Sequence, residues 1–266
     1  MVREPCFSGR FYPGEKNRLI EEMADLIPDR RDRINAIGAV SPHAGYPYSG
    51  AIAGDVFSRI EPKGSYVVLS PNHSGRGARF AASGEAWSTP LGPVEIDAGL
   101  LDAVMKRTRL VEIDPAPHMS EHSVEVQLPF IQMTSPGSRI VPLTVKYGSL
   151  DEIREVALAL AGAIEEDKKD AVVISSSDMT HYEPRRSAIK KDRMAIDKIL
   201  ALDPEGLIDV VESNDISMCG YIPTVIMLMC AKALNAEKAE LVKYSDSGEV
   251  TGDTEQVVGY AGLIVY

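Results

Sequence analysis

Two stretches, YVVLS at residues 66–70 and AVVIS at residues 171–175, are apolar runs that end in serine. Strands that face solvent on one side alternate apolar and polar residues, whereas strands covered on both faces, as in parallel sheets, are continuously apolar. The two stretches therefore predict buried strands over residues 65–70 and 171–176. Similar runs predict further strands at 37–42, 139–145, 239–245 and 256–265.

Helical patterns separate these strands. They predict helices near 15–26, 50–60, 97–107, 121–133, 150–166, 185–201, 204–212 and 221–234. Because strands and helices alternate from end to end, we predict an α/β fold, a three-layer α/β/α sandwich with a mainly parallel, mixed central sheet. Residues 1–266 are expected to form a single domain, since no low-complexity linker interrupts them.

Local signals add detail to this pattern. Ser149 and Glu152 have the spacing of a capping box and predict the start of a helix. Residues 78–96 break the alternation and predict a hairpin or loop excursion. The closing segment EQVVGYAGLIVY, residues 255–266, is apolar without a following helix, so it predicts a terminal strand that can run antiparallel to its neighbours.

The composition limits the partners of the chain. The formal net charge of −11 argues against a nucleic-acid partner, because phosphate binding needs a basic surface. Three scattered cysteines in 266 residues favour a reducing, cytoplasmic setting over a disulfide framework. The N-terminus lacks the apolar core of a signal peptide, and the apolar run at 221–234 is too short to span a bilayer. We expect no membrane partner.

Histidines follow three of the predicted strands. His43 comes after the strand at 37–42, His73 after the strand at 65–70, and His181 after the strand at 171–176. Ligands of open parallel sheets bind at the carboxyl ends of the strands, so these three residues can converge at one edge. A single histidine at such a place is more often a hydrogen-bonded loop residue, but three together favour a metal site for iron, copper or zinc.

Cys219 and Asp178 are further candidates for this site. Cys219 directly precedes an apolar helix, whose dipole is expected to favour the thiolate form needed for metal ligation. The alternative is a small buried apolar residue, which is the interpretation we give to Cys230. Asp178 lies three residues before His181 and is either the group that orients its imidazole or a turn residue.

The stretch HMSEHSVEV begins with His118, which we predict to be exposed in a loop. Glu121, His122 and Glu125 have helical spacing on a helix capped by Ser120. Such a face could line a metal site or relay protons, although charged faces are commonly just solvated.

Three tyrosines, Tyr46, Tyr48 and Tyr221, are expected on the surface near the site, where they would suit recognition of a ligand. Other chemistries lack their motifs in the sequence. It contains no GxGxxG or GxxxxGK[ST] nucleotide fingerprint, no GxSxG nucleophile elbow and no HExxH zinc motif.

Several motifs together resemble one known family. They are FSGRFYPG (7–14), SPHAGYPYSG (41–50), SPNHSG (70–75), EHSVEVQLPF (121–130), SSSDMTHY (175–182) and MCGYIP (218–223). In this order and spacing they resemble the motifs of the MEMO family, from about residue 5 to the C-terminus.

The resemblance implies a relationship to the class III extradiol dioxygenases, whose non-haem iron has two histidines and one carboxylate on an α/β/α fold. It implies that His43 and His73 are metal ligands and that His181, with Asp178 beside it, is an acid–base residue. Cys219 stands where those dioxygenases have their carboxylate. A thiolate favours copper(I), zinc or thiolate-ligated iron and is oxidisable, which argues against dioxygenase activity.

Three hypotheses follow for the function. The first is a metal-dependent redox protein that holds iron or copper with His43, His73 and Cys219, while His181, oriented by Asp178, transfers protons. The second is a binding pocket for a peptide or small anion without turnover, a vestigial dioxygenase site. The third is hydrolysis assisted by zinc. In each case the partner is a small molecule or a peptide.

Overall fold

The computed structural model describes residues 2–166 and 170–266. The strands within these ranges are β1 (Val2–Arg3), β2 (Gly38–Ser41), β3 (Ser65–Pro71), β4 (Phe80–Ala82), β5 (Ala86–Thr89), β6 (Gly92–Val94), β7 (Val111–Ile113), β8 (Arg139–Val145), β9 (Ala171–Ser176), β10 (His181–Glu183), β11 (Ala239–Asp246) and β12 (Val257–Val265). The helices are α1 (Lys16–Leu26), α2 (Tyr46–Arg59), α3 (Ala98–Arg107), α4 (His122–Glu125), α5 (Leu128–Thr134), α6 (Leu150–Glu166), α7 (Arg185–Leu200), α8 (Pro204–Ser213), α9 (Tyr221–Ala233) and α10 (Gly248–Thr251). A short 3-10 turn spans His118–Ser120.

Most strands form one mixed sheet in the order β10-β12-β2-β9-β3-β8-β4-β7, with β11 paired to β12. The centre of the sheet, β2-β9-β3-β8, is parallel throughout. Strand β12 runs antiparallel to β2, as the sequence pattern allowed. A separate small sheet joins β1, β5 and β6. The predicted mainly parallel, mixed sheet is confirmed.

The apolar runs of the central strands serve two cores. In β3, Val67 and Leu69 pack into a core with α3, α6, α7, α8 and α9. The alternate residues Tyr66 and Val68 pack into a second core with α1, α2 and α5. Because successive side chains of a strand point to opposite faces, a strand buried on both sides must be apolar throughout. The three-layer prediction is confirmed.

Several local predictions are confirmed and others need correction. The capping box forms, with the Ser149 N–H bonded to Glu152 and the Glu152 N–H bonded to Ser149 Oγ. The predicted helix at 121–133 is instead two short helices, α4 and α5, and Pro129 lies in the first turn of α5. Glu121 rather than Ser120 caps α4, because its side chain accepts the Ser123 N–H. Within the described ranges, no helix is long and apolar enough to cross a membrane.

Helix α2 packs closely against the end of α1, and two glycines test that contact. A Cβ atom on Gly54 would lie 1.9 Å from the backbone oxygen of Leu26, whereas on Gly50 the nearest atom, 2.8 Å away, belongs to the Leu26 side chain. We expect Gly54→Ala to destabilise the protein by about 1–3 kcal/mol through overpacking, despite a gain of about 1 kcal/mol in helix propensity.

For Gly50→Ala a rotation of the Leu26 side chain can relieve the strain, so we expect a change within about 1 kcal/mol of zero. Urea unfolding of both variants measures the difference. Equal losses of stability would contradict this account of the contact.

Candidate functional site

The candidate site lies at the carboxyl edge of the parallel strands. His43 follows β2 by two residues, Asp178 follows β9 by two, and His73 follows β3 by two. Since β9 pairs with both β2 and β3, these positions meet at one edge. The imidazole rings of His43 and His73 have their centroids 5.3 Å apart, so their predicted convergence is confirmed.

The structure adds His122, from the start of α4, to these two residues. His43, His73 and His122 each offer a ring nitrogen, and the three nitrogens lie within 4.8 Å of one another. The His73 and His122 rings are stacked, with centroids 4.7 Å apart. We refer to these three residues as the histidine group.

His43 is buried and its ring is oriented by a hydrogen-bond network. The Ser176 hydroxyl donates to the Ser123 carbonyl at 2.6 Å and accepts the Gln127 amide at 2.9 Å. Since its proton is committed to that carbonyl, Ser176 Oγ accepts from His43 Nδ1 at 3.0 Å. The lone pair of His43 therefore lies on Nε2. Burial, together with the charge of His73, lowers the pKa of His43 to about 3, so the ring is neutral.

His73 is oriented by the buried carboxylate of Glu121. Its Nδ1 lies 2.9 Å from Glu121 Oε1, and its backbone N–H donates to Oε2 at 2.8 Å. Burial opposes the charged ring, but the hydrogen bond and charge of Glu121 outweigh it and raise the pKa of His73. Burial likewise opposes the charged form of Glu121, but His73 and Ser123 outweigh it and hold the pKa of that carboxyl below its usual range. Nε2 of His73 remains available to a ligand.

Two aromatic side chains pack against the ring of His122. The rings of Phe7 and Phe11 lie 5.3 and 4.9 Å from its ring. Burial lowers the pKa of His122 to about 3, so this ring is also neutral. His43 and His122 can therefore each present a nitrogen lone pair, and His73 presents one at Nε2 when that nitrogen is deprotonated.

Cys219 lies beside the histidine group, directly before Gly220, the N-cap of α9. Its sulfur is 3.3 Å from His43 Nε2 and accepts the Asp178 N–H at 3.3 Å. Burial and the negative charge of Asp178 raise the pKa of the thiol. Burial therefore opposes the thiolate form that the helix dipole was expected to favour.

Asp178 and His181 lie close to the group, and of the two alternatives for Asp178 the contacts favour the turn residue. The Asp178 carboxylate accepts the His43 backbone N–H at 2.8 Å and lies 3.9 Å from His43 Nε2. His181 is held instead by Ser217, whose carbonyl oxygen is 2.9 Å from His181 Nδ1. Asp178 thus fixes the backbone of the loop that carries His43, and the backbone of Ser217 orients His181.

Three further expectations need correction. His118 is buried, not exposed, with Nε2 3.0 Å from the Ala81 carbonyl, because the 3-10 turn directs it inward. Tyr46, the first residue of α2, is also buried in the second core, and its hydroxyl donates to the Val126 carbonyl. Glu125 is fully buried, and its carboxylate bonds to the N-terminal segment that includes Arg3.

The other two tyrosines fit their prediction to different degrees. Tyr48 is exposed, whereas Tyr221 is half-buried, with its hydroxyl 3.5 Å from Glu212. Phe7, Phe11, Ser176 and Gln127 also contribute to the site, although no role was predicted for them. All four lie in motifs that carry the family resemblance, which was the signal available for them.

The fold and this edge define a class: an α/β/α protein with a buried group of histidines at the carboxyl ends of its parallel strands. The family model described as Memo-like protein matches residues 3–264. The chain therefore belongs to the MEMO family.

Relatives agree with this assignment, and a solved structure agrees with the fold. A MEMO1 family protein of Methanopyrus kandleri is 40% identical, over 99% of this chain and 99% of its own. One of Methanosarcina barkeri is 39% identical, over 99% of this chain and 100% of its own. The crystal structure of an uncharacterized protein from Escherichia coli K12 has a TM-score of 0.51 at 11% identity, covering 85% of this chain and 98% of that chain. At this identity it supports the fold alone.

Proposed function

We propose that the protein binds one redox-active transition-metal ion, iron or copper, at the histidine group and Cys219, and uses it in redox chemistry on a small molecule or peptide. The observation that carries this proposal is the convergence of three ring nitrogens within 4.8 Å. Two of the rings are oriented from behind by Ser176 and Glu121. Outer hydrogen bonds of this kind orient the histidine ligands of metals.

The donor set fits such a metal. Imidazole nitrogens suit iron, copper and zinc, and a thiol adds preference for copper(I), zinc or thiolate-ligated iron. We assign His43 and His73 as metal ligands in each of the metal-binding hypotheses. Cys219 and His122 supply the remaining donors. A cation at this place favours the Cys219 thiolate, which opposes the effect of burial on the thiol. Cys6, Cys219 and Cys230 are free thiols, consistent with a reducing, cytoplasmic setting.

Each remaining polar group has a distinct task. Iron or copper, when bound, supplies one-electron redox chemistry. With Nδ1 donating to the Ser217 carbonyl, His181 has Nε2 available to take up or release a proton of the substrate. Burial raises the pKa of Asp178, so this carboxyl can hold a proton near His43 Nε2. An oxidisable thiol ligand argues against ring cleavage by oxygen.

Anaerobic titration with iron(II), copper(I) and zinc(II) tests the proposal. We expect the wild type to bind one equivalent, and Cys219→Ser to lower the affinity by at least about 10-fold, since loss of even an outer partner has that effect. Cys230→Ala, which removes a buried thiol inside α9 and outside the site, is the control and should bind as the wild type does. A wild type that binds none of these metals would contradict the proposal.

A metal-free binding pocket is the second candidate. The rings of Phe7 and Phe11 beside His122, and the exposed Tyr48, favour an occupant with an apolar part. If no metal binds, calorimetry with tyrosine-containing peptides and small anions becomes the deciding measurement. Binding that is unchanged in His43→Ala would contradict this second function.

A further inference from the structure

We propose that residues 3–12 form a clamp that fixes the positions of His122 and of Glu121, the residue that orients His73. Arg3 and Glu125 are the positioning residues that hold this clamp in place. We call residues 3–12 the N-terminal clamp. Its effect on a metal rests on the proposed function, but its effect on the His122 ring does not.

Glu125 anchors the clamp. Its carboxylate is fully buried, and Oε2 accepts Arg3 Nη1 at 2.6 Å and the Cys6 N–H at 3.0 Å. Oε1 accepts the Phe7 N–H and the Tyr12 hydroxyl, both at 2.8 Å. All four donors belong to the N-terminal clamp. A buried carboxylate with both oxygens satisfied in this way holds its partners in one geometry.

Arg3 extends the anchor to the site. Its Nε donates to the His118 carbonyl at 2.7 Å and its Nη2 to the Glu121 carbonyl at 2.9 Å. The guanidinium also lies 4.0 Å from the centre of the Trp87 ring. Both carbonyls belong to the turn that leads into α4. Arg3 thus holds the backbone of Glu121. The side chain of Glu121 orients His73, and Glu121 directly precedes His122.

The aromatic residues of the clamp contact the site itself. Phe7 and Phe11 pack edge-to-face at 5.1 Å, and both rings lie against His122. The Phe11 carbonyl accepts the Tyr46 N–H at 2.8 Å, three residues beyond His43. The clamp therefore joins the two parts of the chain that supply His43 and His122.

The variant Glu125→Gln tests the role of the anchor. The amide has nearly the same shape, but its NH2 group must face N–H donors at one of the two oxygen positions, and Arg3 loses its buried counter-charge. In the metal-free protein, the proton resonances of the His122 ring report the ring currents of Phe7 and Phe11. We expect these resonances to move and broaden in Glu125→Gln.

In zinc-loaded protein we expect chelator-driven release of the metal to be at least about 10-fold faster in Glu125→Gln. Asp246→Asn is the matched control. It weakens another arginine–carboxylate pair, Arg185 Nη2 to Asp246 Oδ1 at 2.7 Å, whose residues do not bond to the histidine group. It should leave the His122 resonances and the release rate as in the wild type.

Unchanged His122 resonances in folded Glu125→Gln would overturn the inference and leave Glu125 a purely structural residue. If the wild type binds none of zinc(II), iron(II) and copper(I), the proposed function fails, but the spectrum of the metal-free protein still decides about the clamp. Should Glu125→Gln not fold, Tyr12→Phe removes one of the four donors and keeps the ring. We expect a smaller change of the His122 resonances in the same direction, and no change would overturn the inference.

Discussion

Replacement of His43 by alanine is expected to lower the affinity for iron(II) or copper(I) by more than the roughly 10–100-fold that loss of an outer-shell partner costs. His43 is the member of the site with the most neighbours that could share a metal. Its Nε2 faces the Cys219 sulfur at 3.3 Å, and its ring lies 5.3 Å from His73 and 5.1 Å from His122. Its removal takes away a neutral, pre-oriented donor between the thiol and the other two rings.

Anaerobic competition with a chromophoric chelator measures this affinity. His181→Ala is the informative comparison, because His181 lies outside the histidine group and is bonded to Ser217. We expect this variant to retain the affinity of the wild type while losing the proton-transfer step of any turnover. Equal losses of affinity in the two variants would contradict the assignment of His43 as a ligand.

The largest effect on stability is expected for Phe57→Ala, a loss of about 3–5 kcal/mol in the free energy of unfolding. Phe57 is a fully buried residue of α2, and its ring is stacked on Phe130 with centroids 5.5 Å apart. It also lies 6.3 Å from the Tyr66 ring in β3. Truncation leaves a cavity between the helix and the sheet that rigid neighbours on both sides cannot fill.

Phe57→Leu separates the cavity from the loss of the ring, and we expect it to lower the free energy of unfolding by less than about 1.5 kcal/mol. Urea unfolding followed by far-UV circular dichroism and by the fluorescence of Trp87, the single tryptophan of the chain, measures both variants. A loss below about 1 kcal/mol in Phe57→Ala would show that this core closes around the gap.

The sheet could be predicted well because its information is local. Each central strand had to be apolar on both faces, and the runs at 65–70 and 171–176 correspond to β3 and β9. The convergence of His43 and His73 followed from the same rule, since parallel strands end at one edge. Helix boundaries were harder to predict where a proline or a capping side chain decided them, as between α4 and α5.

The sequence by itself determined the layers, the mainly parallel sheet and the edge at which His43 and His73 meet, because periodicity and strand ends are properties of neighbouring residues. Only the tertiary structure decided the partners of the polar groups. Glu125 bonds to Arg3, which is 122 residues away, and Ser176 orients His43 from a different strand. Helical spacing shows which residues share a face, but not whether that face meets solvent, a metal site or the N-terminal clamp. What the face meets depends on which distant segment donates hydrogen bonds to its buried carboxylate. A buried carboxylate without such donors would cost more free energy than the small net stability of a folded protein can offset.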